Sequence, residues 1–567
     1  MVPRQVGAFA LAAFLFLGSV VTARLMVANP LRVSKLGAAS PTATETRPAA
    51  PPTATSTPTA VSTATPPPPT PTIQSSGTVR LDQSNTTAYP LPEDCLIHPT
   101  RLAARGGHLF ALDSGQLKRI SLGTPMSCDP LPRPQAGVDG VVVQELGDFA
   151  LAGDGESLLL LDRAGNVFRY FLESEEWSVE RLSHAPEASS RQHLVSVSAY
   201  HDGFYLLDTN VGQVWRHADG AAEVQASHEE LRESADLAVG EDVYVLSPEG
   251  YGGPLRLRRL VGEPLATDDA FSPPADLEDP SLLFLDPREG GHLQVIDLEG
   301  HRLRLLSPES GELVREYVFP TDEVQILAMC TEAEKLYLAS SNTIYVYPQE
   351  PVGPGEWTSP PPPPQELADL PPHDPRVLQA LPPLAMPLEG TVISELSFRL
   401  PGAPRAYRYG VHEGIDFYWA AGAPVTRTTP VLSVAAGEVI RVDQDYDPPS
   451  LTEMEAMLAR AADLSHTPDD VLDVLRGRQV WIDHGGGLVS RYCHLSAVAH
   501  DLGVGDLVEQ GQVIGYVGNT GTPASYYDAG SEMHLHLEIR IGEGYLGQYL
   551  RPVEVKRWLR QAFSEVS

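Results

Sequence analysis

Apolar and polar residues alternate with period two along much of the chain, in short runs broken by Gly, Asp, Asn and Ser. Successive side chains of a strand point to opposite faces, so this pattern predicts half-buried β-strands. Six stretches share one layout: "LFALDSGQLKRISL" (109–122), "LLLLDRAGNVFRYF" (158–171), "FYLLDTNVGQVWRH" (204–217), "VYVLSPEGYGGPLRLRRL" (243–260), "LQVIDLEGHRLRLL" (293–306) and "LYLASSNTIYVYP" (336–348). Each is an apolar run, a polar or glycine turn and a second alternating run, the signature of a β-hairpin. They recur at roughly 40 to 50 residues, the period of a propeller blade. Residues 78–350 are therefore expected to form a β-propeller-like domain of about six blades. Asp113, Asp162, Asp208 and Asp297 fall at the turns, where a carboxylate capping backbone N–H groups is far commoner than a ligand site.

The stretch 388–567 is also strand-rich and punctuated by glycine, with one interruption of helical period. "GEVIRVD" (437–443) and "RQVWIDH" (478–484) read as neighbouring strands, and residues 445–476 lie between them. Ser450 and Glu453 have capping-box spacing, and Leu451, Met454, Leu458, Ala461 and Leu464 follow at helical intervals. Pro468, expected at N1, starts a second helix through Val471, Leu472 and Leu475 that stops at Gly477. Helices this short need a partner surface, so the insert must pack on itself or on the sheet.

Two segments lack either period. Residues 38–77 are rich in Pro, Thr, Ala and Ser, and 351–387 contain "SPPPPPQELADLPPHDP". Neither composition buries enough apolar surface to fold alone, and both read as linkers. At about 3.1 Å per residue of polyproline II, the first reaches on the order of 100 Å. Ahead of it, within 1–37, "VGAFALAAFLFLGSVVTA" (6–23) is free of charge. That length suits an export signal or a membrane anchor equally. Either one places the remainder outside the cytoplasm, in the cell envelope.

The 40 Lys and Arg against 74 Asp and Glu give a formal net charge of −34, which argues against nucleic acid as a partner. Four cysteines occur, Cys95, Cys128, Cys330 and Cys493, without a CxxC pair. A cysteine zinc site is disfavoured, and one bridge among the first three remains open. Cys493 is expected as a small buried hydrophobe.

Chemistry concentrates near the C-terminus. In "MHLHLEIR" (533–540), His534 and His536 lie two apart on one strand face, beside Glu538. "YGVHEGIDFYW" supplies His412 and Asp416, and "VWIDHGGGLVSRYCHL" ends a strand at His494. Either pair alone is weak; the three clusters in this order are specific. "HEGIDF", "RYCHL", "VGDLVEQGQVIGYVGNTG" and "HLHLE" together resemble the lysostaphin/LytM-type zinc metalloendopeptidases over about 390–560. The resemblance implies a small, largely antiparallel β metallopeptidase domain that cleaves peptides of bacterial peptidoglycan. It further implies Zn²⁺ on His412, Asp416 and His536, with His494 and His534 as catalytic histidines that do not bind the metal. Which of the two handles the water is left open. His484 is expected to be structural, and Arg405, Arg408 and Tyr409 to lie on a solvated loop. The whole chain is thus expected to be mainly β: propeller, linker and metallopeptidase domain with a small helical insert. The expected partners are peptidoglycan peptide, a protein or glycan ligand of the propeller, and the membrane if the N-terminal segment is retained. Two other readings use the same features. One is a catalytically silent wall-binding or hydrolase-activating protein; the other is a propeller-based binding module anchored to the wall.

Overall fold

A computed structural model describes residues 77–563, apart from 124, 135–136, 183–193, 219, 251–252, 263, 278–279, 286–290, 298–300, 320–324, 333–334, 349–365 and 528–529. The N-terminal apolar run and the first linker lie outside the described residues. No helix among the described residues is long and apolar enough to cross a membrane.

The described residues between 78 and 347 form six sheets, each with four antiparallel strands at its heart. The innermost strands run Arg101–Arg105, Leu146–Leu151, Leu194–Tyr200, Asp236–Val239, Pro280–Leu285 and Ala328–Glu332. All six hairpins read from the sequence are the middle two strands of successive sheets. The last sheet takes three strands from 328–347 and its outer one from Thr87–Pro90, which pairs antiparallel with Thr343–Tyr347. The early strand thereby closes the ring, and the arrangement is a six-bladed propeller. The early strand joins the start of the domain to its last blade and leaves that blade only a short outer edge. The turn aspartates act structurally. Asp162 Oδ1 accepts the N–H groups of Ala164 (2.9 Å) and Asn166 (2.8 Å), and Asp113 Oδ1 accepts those of Ile97 and His98. Cys95 bonds to Cys128 on the outer strand of the first blade, while Cys330 is buried and free.

The C-terminal domain is built on one antiparallel sheet. Its strands are β1 (Ile415–Phe417), β2 (Gly437–Val442), β3 (Val480–Asp483), β4 (Leu488–Cys493), β5 (Leu507–Val508), β6 (Leu535–Ile541) and β7 (Gly544–Tyr545). The order across the sheet is β1-β6-β4-β3-β2-β5, with β7 beside β6. Period two decides which residues go where. Leu535, Leu537 and Ile539 enter the main core with Val480, Ile482 and Tyr492, leaving His534, His536 and Glu538 for the opposite face. Besides a single helical turn at Val377–Ala380, three longer α-helices complete the domain among the described residues: α1 (Leu451–Leu464) and α2 (Asp469–Leu475) in the insert, and α3 (Pro552–Ala562) at the end.

Three expectations need correction. Residues 366–387, read as linker, belong to the domain, because Leu367, Leu370, Val377 and Leu384 are buried in its core. Proline content obscured apolar positions placed to anchor irregular backbone. Pro468 is the N-cap of α2 rather than N1, and the α1 stripe is narrower than the spacing implied. Met454 and Ala461 are buried, whereas Leu451 and Leu464 stay exposed. The third correction concerns the loop before the first site residue and follows below.

Candidate metal centre

The central strand of the site is β6. His536 lies directly across from Asp416 on β1 and from Cys493 on β4. One cross-strand pair therefore brings a ring nitrogen and a carboxylate together. His412 arrives from just before β1, held by two backbone bonds to a crossing segment: Gly402 N–H to His412 O and His412 N–H to Ala403 O, both 2.7 Å.

Side-chain hydrogen bonds then set the ring orientations. His412 Nδ1–H donates to Leu400 O at 3.0 Å, so Nε2 points inward, 2.9 Å from Asp416 Oδ1 and 2.8 Å from His536 Nδ1. His536 Nδ1 is itself 2.9 Å from Asp416 Oδ1, and its Nε2 faces Glu538 Oε1 at 3.3 Å. With the outer nitrogens carrying hydrogens, three lone-pair atoms converge at these distances. Such a cluster is held together only by a positive charge among them. A proton on His536 meets the demand: burial opposes it, yet hydrogen bonds to Asp416 and Glu538 raise its pKa above the ordinary histidine value. A divalent cation meets it better, since two imidazoles and a carboxylate are the donor set of a three-ligand site. Burial, with Arg405 nearby, pushes His412 down to about 3, so this ring stays neutral as a ligand must. Asp416 is held well below the carboxylate range despite its burial, by positive charge shared among the surrounding His412, His534 and His536.

His494 and His534 flank this cluster. His534 Nδ1–H donates to Glu532 O and His494 Nδ1–H to Thr520 O, each at 2.7 Å. Both rings therefore present bare Nε2 atoms, with centroids 4.8 Å apart. His534 Nε2 lies 3.7 Å from Asp416 Oδ1. Burial is the first cause lowering the pKa of each ring, His494 far below normal, so both are neutral near pH 7. His494 follows β4 in the left-handed region, with φ 62°. Non-glycine residues are rare there and cluster at functional sites. The structure thus brings His412, Asp416, His494, His534 and His536 together.

Supporting residues escaped the sequence reading. Tyr418 stacks on His534 with centroids 4.7 Å apart, and the Arg399 guanidinium lies 4.4 Å from the Tyr418 ring centroid. Arg405 pairs with Asp416 Oδ2 at 3.1 Å, and Arg408 is buried and donates to Val411 O. The loop expected to be solvated is therefore part of the site's wall, although Tyr409 is exposed. Arg476, the C-cap of α2, clamps Glu538 through two bonds of 2.7 and 3.1 Å and reaches Glu413 at 2.8 Å. Its carbonyl accepts the His494 N–H at 2.8 Å. Glu538 carried a signal in the sequence, as the next same-face residue after His536, and Arg405 and Arg408 stood out only by preceding the first site histidine. His484 bonds to Ala436 O and Ser490 Oγ and is structural; Cys493 is buried, with its thiol pushed up by desolvation.

Comparison with known proteins places this geometry in a family. Residues 410–549 match the model of peptidase family M23. No curated protein matches the chain. Similar solved structures include virginiamycin B lyase from Staphylococcus aureus (11% identity, 47% of this chain and 99% of that one, TM-score 0.34). The WD40 β-propeller domain of Doa1 gives 11% identity over 48% of this chain and 98% of that one, with TM-score 0.33. An auxiliary nutrient binding protein from Bacteroides ovatus gives 11% over 47% and 78%, also with TM-score 0.33. The blade architecture rests on the sheets themselves, whereas the site rests on the family match and its own geometry. Residues 410–549 are a LytM-type domain of peptidase family M23, carried at the C-terminal end of a mainly β chain.

Proposed function

We propose that the protein is an exported zinc endopeptidase that hydrolyses peptide bonds of bacterial peptidoglycan during wall remodelling or division. The observation that carries the reading is the convergence of His412 Nε2, Asp416 Oδ1 and His536 Nδ1 within 2.9 Å of one another. These three atoms would hold the metal. When bound, zinc polarises a carbonyl and acidifies a water molecule. The flanking residues carry out the proton chemistry. His494 and His534, hydrogen-bonded at Nδ1, accept or return a proton at Nε2 or donate from it to a developing oxyanion. Tyr418 and Glu532 fix the His534 ring in that orientation. All five functional side chains are in place, which favours an active enzyme over a silent relative. The Cys95–Cys128 bond supports export, because such bonds persist in oxidising compartments.

The test is to incubate the full chain with purified peptidoglycan and identify the released ends by mass spectrometry. The expected result is new amino and carboxyl termini within stem or bridge peptides, released only with metal and lost in His536→Ala. Wall binding without new termini, at full metal occupancy, would support the silent alternative instead.

A further inference from the structure

The segment 397–403 holds His412 from one side and touches the propeller from the other. Toward the site, Leu400 O orients the His412 ring, and Gly402 and Ala403 bond to the His412 backbone. Toward the propeller, Arg163 on the turn of the second blade donates to Gly402 O at 3.1 Å and to Leu550 O at 2.9 Å. That guanidinium is buried and paired with Glu145. Gly402 adopts φ +83°, and a Cβ there would stand 2.8 Å from Arg163 Nη1. The near end of the segment is held as well, since Glu233 accepts the Ser397 N–H at 2.8 Å. One residue, Gly402, therefore links a propeller arginine at its carbonyl to the His412 backbone at its N–H.

We infer that the propeller is a structural part of the metal centre, with Arg163 as a positioning residue that fixes the Leu400–Ala403 backbone and, through it, the His412 ring. The inference rests on the metal reading proposed above. A buried arginine bonded to two carbonyls and paired in charge with a carboxylate is costly to remove, because its partners are left behind. The outer partners of a ligating histidine fix its orientation, and losing one typically weakens metal binding by about 10- to 100-fold. A peptidase domain merely tethered to a propeller would have no such dependence.

The experiment compares full-length Arg163→Met with His98→Gln. His98 also crosses the interface, bonding Glu554 at 2.9 Å, but does not touch 397–403. Zinc affinity is measured by competition with a chromophoric chelator, and the visible spectrum is recorded after Co²⁺ substitution. Arg163→Met should weaken zinc by about 10-fold or more and shift the cobalt bands. His98→Gln should lower the melting temperature with affinity and spectrum unchanged. Wild-type affinity in Arg163→Met, or equal weakening in both variants, would overturn the inference. Should Arg163→Met fail to fold, Glu233→Ala removes the acceptor that holds the other end of the segment and must weaken zinc as well. A wild-type chain that holds no metal would instead overturn the metal reading, and this inference with it.

Discussion

The two histidines of "HLHLE" differ in how their Nδ1 atoms are tied. His536 Nδ1 faces Asp416 and His412, whereas the Nδ1 of His534 is consumed by Glu532 O. His412→Ala, Asp416→Ala and His536→Ala should each lose metal, measured as bound zinc after dialysis, because a three-ligand site tolerates no missing ligand. His494→Ala and His534→Ala should retain zinc and lose turnover by about 100-fold or more. Full zinc in His536→Ala with none in His534→Ala would reverse the assignment. These five residues were legible because each sits in a short local pattern, HxxxD, HxH or a strand end. Tyr418, Arg399 and Arg405 were not, because each owes its role to a neighbour brought near only by folding. No periodicity in the sequence marks an arginine that will meet Asp416 eleven positions away.

At the scale of elements, the insert is more than a surface hairpin. Its capping box forms as read, with Ser450 and Glu453 bonding each other's backbone. Met454, Val471 and Leu475 make a small core with Tyr526. What the sequence did not reveal is how α2 ends. Arg476 meets Glu538, Glu413 and the His494 N–H, so the helix terminus braces both the metal side and the histidine side of the site. Glu538 lies well below the carboxylate range, with Arg476 the main cause opposing its burial, and stays an acceptor for His536. Arg476→Gln should therefore reduce kcat by about 10- to 100-fold with little change in KM. Arg460→Ala, which breaks only the exposed α1–α2 pair with Asp470, should leave both unchanged. Equal rates for the two variants would reduce the insert to decoration.

At the scale of the molecule, the six hairpins predicted the blades, yet nothing in the pattern foretold that the propeller's turns would grip the C-terminal domain. The contact is polar and specific, and its centre is a buried charge network. Arg101 bonds Asp148 and Asp236 at 2.7 and 2.6 Å, and Arg551, just before α3, reaches Asp236 at 3.1 Å and Ala235 O at 2.7 Å. Lys556 adds a bond to Glu233, and His98 one to Glu554. A propeller ligand would therefore have to use surface that this contact leaves free. The network also makes stability depend on pH in a stated direction. Burial alone would raise the pKa of Asp236, but Arg101 and Arg551 outweigh it and bring the value from 3.8 to about 2. A carboxylate depressed on folding contributes stability that is complete above the unfolded pKa and lost as pH falls through the folded one. The window is therefore about pH 4 down to 2, and the contribution at neutral pH is about 2 kcal/mol. Urea unfolding of the full chain should show its midpoint falling across that window. Asp236→Asn should be less stable at pH 7, because the buried Arg551 guanidinium loses its counter-charge and Arg101 keeps only Asp148. The same variant should lose less of its remaining stability on acidification than the wild type. A parallel acid response in both proteins would move the titrating group elsewhere and leave the arginine–aspartate network without its role in joining the two domains.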